Sequence, residues 1–99
     1  MLSITKNTEN STVTLALEGR LDAVTAPKLE AEITESLEGL VSLVLAFEKL
    51  EYISSAGLRV LLFAYKRISG QGNLKIRNVC DSVMDILKIT GFADIFDLE

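Results

Sequence analysis

Val13, Leu15 and Leu17 alternate with Thr12, Thr14 and Ala16, the period of a strand that buries one face, and this predicts a strand over residues 11–18. Leu2 and Ile4 begin a partner strand, with Asn7 to Asn10 as the polar turn of a short hairpin. The spacing then changes to threes and fours. Ala26, Leu29, Ile33, Leu37 and Leu40 form an apolar stripe, with Lys28, Glu30, Glu32 and Glu35 mostly on the other side, predicting a helix from about Ala26 to Leu37. Thr25 stands at its N-cap, and Pro27 lies in the first turn, where a missing amide hydrogen costs nothing.

Leu43-Val44-Leu45-Ala46-Phe47 is apolar at successive positions, as a central strand buried on both faces would be. Tyr52 to Leu58 leads into a second helix with Leu58, Leu61, Leu62, Tyr65 and Ile68 on one stripe, punctuated by Gly70 and Gly72. Val60, Phe63 and Ala64 lie outside that stripe. Either this helix is covered on more than one side, or some of these three form an exposed apolar docking patch. Leu74 and Ile76 alternate with Lys75 and Arg77 as a strand. Asp81 stands where it can cap a third helix carrying Val83, Ile86 and Leu87; Gly91 ends that helix, and Ile95 to Leu98 add a last edge strand.

The order β-β-α-β-α-β-α, with a final β, predicts an α/β fold: a small mixed sheet of four to five strands flanked by helices. Ninety-nine residues hold one core, so residues 1–99 are read as a single domain. A ligand or partner site is expected at the carboxyl ends of the strands. Two loops should open there, Arg20 to Thr25 and Glu48 to Ser55.

Composition narrows the chemistry. Apolar residues at 48% fit a globule, and a net charge of -4 has the wrong sign for neutralising nucleic-acid phosphates. With no histidine there is no imidazole base or metal ligand. Cys80 is alone, so it forms neither an internal disulfide nor a thiolate metal site, and it is read as a small packing residue. No metal and no cofactor are expected. The N-terminal residues lack a signal-peptide pattern, and Leu40 to Phe47 is far short of the roughly 20 residues that span a bilayer, which fits a cytoplasmic protein without membrane insertion.

Of the two loops, one offers Asp22 and the other the hydroxyls of Ser54 and Ser55 at a helix start. Asp22 reads equally as a turn residue or a site residue. Each serine reads either as an N-cap or as a position where the helix terminus would stabilise an added phosphate. Nothing in the sequence activates either serine as a nucleophile, and Lys49 and Lys66 read as solvated charges, so the chain is not expected to be an enzyme.

YISSAGLRVLL, preceded some thirty residues earlier by GRLDAVTAPKL and with the strand LVLAF between, resembles the STAS domain, in particular the bacterial anti-sigma factor antagonists. The resemblance covers essentially the whole chain. It implies that Ser55 is the phosphoacceptor of an anti-sigma factor that is also an ATP-dependent serine kinase. By the same match Ala56, Gly57 and Leu58 are the residues that follow the acceptor, and Asp22 is the acidic residue of the neighbouring loop. Asp22, Ser54, Ser55, Ala56, Gly57 and Leu58 are then the partner-binding residues. Ser54 stands where the family often has aspartate, which makes it a rival acceptor, and Ala46 stands where the central strand commonly ends in an acidic or amide residue. The implied function is partner switching in transcription: the unmodified protein binds the anti-sigma factor, and phosphate on Ser55 weakens that binding. The alternative drawn from the same family is a soluble subunit docking on the ATPase of a membrane transporter, such as a lipid-transport system.

Overall fold

Asn10 takes a φ of 56°, a left-handed conformation that asparagine tolerates, and with Ser11 closes a hairpin between β1 (Leu2–Glu9) and β2 (Thr12–Leu21). The turn is tighter and later than expected, because β1 continues to Glu9 and Asn7 pairs with Thr14 inside the ladder. The computed structural model describes residues 1–98. After the hairpin come α1 (Ala26–Ser36), β3 (Ser42–Ile53), α2 (Ser55–Ile68), β4 (Asn73–Arg77), α3 (Asp81–Ile89), a 3-10 turn at Phe92–Asp94, and β5 (Asp97–Leu98). The sheet order is β1-β2-β3-β4-β5, with β1 antiparallel to β2 and every other pair parallel. This is the mixed sheet the element order demands, and each parallel connection carries a helix.

Register explains where the core lies. Leu15 pairs with Leu45 and Leu45 with Ile76, Leu43 pairs with Leu74, and all five are buried. They form one hydrophobic cluster with Leu29 and Ile33 of α1, Leu61, Ala64 and Ile68 of α2, and Val83 and Leu87 of α3. The row that points the other way, Thr5, Ala16, Ala46 and Arg77, is exposed or half-buried. The helices therefore cover one face of the sheet. The expectation of a central strand buried on both faces holds for Val44, which is 4% exposed, and not for Ala46.

β3 is also longer than expected. Residues 48–53, read as loop, are strand, because β3 twice places an extra residue against β2: Ala16 pairs with Ala46 but Glu18 with Lys49, and Gly19 with Leu50 but Arg20 with Tyr52. Each bulge shifts the alternation by one position, so Phe47, Leu50 and Ile53 are buried at intervals of three.

The helices bring further corrections. Thr25 occupies the N-cap of α1 but makes no capping hydrogen bond with its side chain, and Cys80, not Asp81, holds that position for α3. The Cys80 thiol donates to the Leu50 carbonyl at 3.3 Å and packs against the core, as a small packing residue should. Val60 and Ala64 are buried because α2 packs on both the sheet and α1, and Phe63 is half-buried beneath Arg67, whose guanidinium lies 5.5 Å from the ring centroid. Of the two readings of α2, cover on more than one side is the one that holds, and Val60, Phe63 and Ala64 form no exposed apolar docking patch. α3 stops before Gly91, as expected.

Candidate functional site

The ends of β2 and β3 are joined where the site is expected: the Ser54 amide donates to the Leu21 carbonyl at 2.9 Å. One residue beyond each partner stand Asp22 and Ser55. The loop after β2 is shorter than expected, running from Asp22 to Thr25, because Arg20 and Leu21 belong to the strand.

Asp22 builds that loop. Its Oδ1 accepts from the Val24 amide at 3.0 Å and the Thr25 amide at 3.1 Å. The Thr25 hydroxyl oxygen accepts from the Asp22 amide at 2.9 Å, and its proton can go to the Arg20 carbonyl at 2.9 Å or to Asp22 Oδ1 at 3.2 Å. Donation by the Thr25 amide, with its hydroxyl and the Val24 amide adding to it against some desolvation, holds the Asp22 carboxyl below the usual carboxylate range. Asp22 is thus a turn-forming residue, one position beyond the Leu21 carbonyl that meets Ser54.

The two serines are unlike each other. Ser54, half-buried with extended backbone, is the N-cap of α2: its Oγ accepts from the Gly57 amide at 3.4 Å, and its carbonyl accepts from the Leu58 amide at 2.9 Å. Ser55 is the first residue of the helix, exposed, and its hydroxyl has no hydrogen-bond partner among the described residues. The capping reading belongs to Ser54, and the free hydroxyl to Ser55.

Gly57 and Leu58 lie beneath this surface. A Cβ on Gly57 would fall 2.7 Å from Leu21 Cγ and 2.9 Å from Ile53 Cγ1, so only glycine lets α2 approach the two strand ends this closely. Leu58 is 7% exposed and belongs to the core cluster. Of the predicted partner-binding residues, then, Ser55 is exposed, Asp22, Ser54 and Ala56 are half-buried, and Gly57 and Leu58 lie beneath them.

Ala46 lies elsewhere. β3 continues seven residues past it, and it sits mid-strand on the open sheet face, so its identity does not bear on the surroundings of Ser55.

Two surface residues escaped the sequence reading. Val24, at the tip of the Asp22 loop, is 85% exposed. Arg59 stands one turn after Ser55 on α2 and lines a cleft of about 300 Å³ with Ala23, Pro27, Glu30 and Ala56, between α1 and α2. The signal for Val24 was a β-branched apolar residue inside a turn; for Arg59 it was a charge four residues after the serine, outside the apolar stripe. On the rim, the Arg20 guanidinium lies 4.3 Å from the centroid of the Tyr52 ring.

The sequence profile of the STAS domain matches residues 3–99. This chain belongs to the STAS domain family. BtrV of Bordetella bronchiseptica, described as a candidate anti-sigma factor antagonist, is 38% identical over 82 residues, covering 81% of this chain and 71% of its own. The anti-sigma-B factor antagonist of Bacillus subtilis is 29% identical over 94 residues, covering 94% of this chain and 85% of its own. In structure, an anti-sigma factor antagonist from Mycobacterium paratuberculosis superposes with a TM-score of 0.90 at 21% identity, over 99% of this chain and 85% of that one, so the two share a fold. No helix among the described residues of this STAS chain is long and apolar enough to cross a membrane.

Proposed function

We propose that this STAS protein is an anti-sigma factor antagonist: in the cytoplasm it binds an anti-sigma factor and so frees the sigma factor that the latter holds. The site is a binding surface and a kinase substrate, with no catalytic task of its own. The observation that carries the reading is the division of labour between the serines, since Ser54 is consumed as the helix cap while Ser55 presents a free hydroxyl one residue from the Leu21–Ser54 bond. The antagonist names of the two sequence relatives support the same role.

In the switch, the anti-sigma factor is also a serine kinase. Ser55 Oγ attacks the γ-phosphorus of ATP, the new O–P bond forms as the bond to ADP breaks, and the hydroxyl proton leaves to a base of the kinase. The product carries about two negative charges where a neutral hydroxyl stood. An unpaired charge desolvated in an interface costs about 3 kcal/mol or more, a hundredfold or greater loss of affinity. The fold need not rearrange, because charge and bulk at the contact suffice.

The test is a titration of a cognate anti-sigma factor with unmodified protein and with protein carrying phosphoserine at position 55. Tight binding by the first, displacing sigma factor, and a hundredfold weaker binding by the second are expected. Equal affinity for both forms would remove Ser55 as the switch, and no binding by either would remove the antagonist reading.

A further inference from the structure

Four arginines occur in the chain, and three are occupied: Arg20 lies over Tyr52, Arg67 lies over Phe63, and Arg77 has a partner of its own. Arg59 differs. It is exposed and, among the described residues, its guanidinium makes no hydrogen bond, ion pair or ring contact. It also stands four residues after Ser55 on the same helix. Residues at that spacing are neighbours on the helix surface, and side chains on a helix lean toward its N-terminus. A long side chain at position 59 therefore has the reach to meet the turn that holds Ser55 from the cleft it shares with Ala56 and with Glu30 of α1.

An anion at Ser55 gains from such a partner. The Gly57 amide is already taken by Ser54 Oγ, and the Leu58 amide makes the first intrahelical bond to the Ser54 carbonyl, so the helix start offers an added phosphate only the amides of Ser55 and Ala56. The Asp22 carboxylate, one residue from the Leu21–Ser54 bond, opposes further negative charge. We propose that Arg59 binds the phosphate of phosphorylated Ser55, its planar fork of donors meeting the phosphate oxygens across one helical turn. This rests on the reading of Ser55 as phosphoacceptor and adds to it. Phosphorylation then changes the partner-facing surface twice, by placing an anion at Ser55 and by withdrawing the free cation of Arg59 into an intramolecular pair.

The experiment installs phosphoserine at position 55 during translation, so that no kinase is needed, and follows its second ionisation by ³¹P NMR in the otherwise unchanged chain, in Arg59→Ala and in Arg59→Lys. A nearby cation favours the dianion, so loss of Arg59 should raise the phosphate pKa by about 0.3 pH unit, with lysine restoring part of the shift and added salt shrinking it. With phosphoserine at position 54 instead, Arg59→Ala should leave the titration where it was. Coincident curves for the parent and Arg59→Ala at position 55, or an equal shift at position 54, would overturn the pairing. Failure of every kinase to modify Ser55 would count against the switch and leave this result standing.

Discussion

The backbone amide of Ser54 donates to the carbonyl of Leu21 at 2.9 Å, and this one bond ties the end of β3 to the end of β2. It places the Asp22 turn on one side and the first turn of α2 on the other. Ser54 is then fixed at three points, through its amide, its carbonyl and its hydroxyl oxygen, whereas Ser55 is fixed only as part of the helix. The exposed Ser55 hydroxyl is thus separate from both the junction and the cap, whereas the half-buried Ser54 hydroxyl belongs to the cap.

Gly57 sets how closely α2 approaches that junction. Gly57→Ala adds a methyl group 2.7 Å from Leu21 Cγ and 2.9 Å from Ile53 Cγ1, both in the packed core. Overpacking of this kind costs about 1–3 kcal/mol, and denaturant titration should show it as a lower midpoint. A midpoint equal to that of the parent would mean that α2 can lift from the strand ends freely.

The Asp22 turn should be sensitive to acid. Its carboxyl titrates below the ordinary value because the Thr25 amide, then the Thr25 hydroxyl and the Val24 amide, favour the charged form. A group whose folded pKa is depressed contributes stability that is fully present above its unfolded value of about 3.9 and is lost as pH falls through the folded value. Thermal melts followed by circular dichroism should therefore show a fall in Tm below about pH 4 that is smaller in Asp22→Asn. At neutral pH Asp22→Ala should melt below the parent, since alanine has no oxygen to close the turn. An unchanged acid limb in Asp22→Asn would show that the turn does not depend on the charge.

The element order and the sheet type were legible because alternation and helical spacing were clean at Val13 to Leu17, Ala26 to Leu37 and Leu74 to Arg77. The second half of β3 was not, because its bulges turn the spacing of Phe47, Leu50 and Ile53 from two into three, which neither strand nor helix pattern describes. The faces of α2 were legible only as two alternatives. A single stripe describes one covered side, and this helix has two, so Val60 and Ala64 are buried while Tyr65, placed on the stripe, is exposed, its ring 5.9 Å from that of Phe96 between centroids. At the site, sequence spacing placed Asp22 and both serines together, but the distinction between Ser54 and Ser55 depends on which oxygen accepts the Gly57 amide.

Val24 is the exposed large apolar residue nearest the junction in sequence, at the tip of the Asp22 turn. Val24→Ser should leave stability within about 0.5 kcal/mol, since the side chain is already in water. It should weaken binding of the anti-sigma factor by about tenfold, the loss of one apolar anchor in an interface. Calorimetric titration reads the affinity, and an unchanged value would place the contact away from this loop.

Phosphosite mapping tests the central claim most directly. After incubation of the protein with a cognate anti-sigma kinase and ATP, peptides spanning Tyr52 to Arg59 are fragmented to separate the two serines by mass. The account predicts phosphate on Ser55 alone, no phosphate in Ser55→Ala, and full modification of Ser54→Asp, in which aspartate serves as the cap. Phosphate on Ser54 with Ser55 unmodified would contradict it.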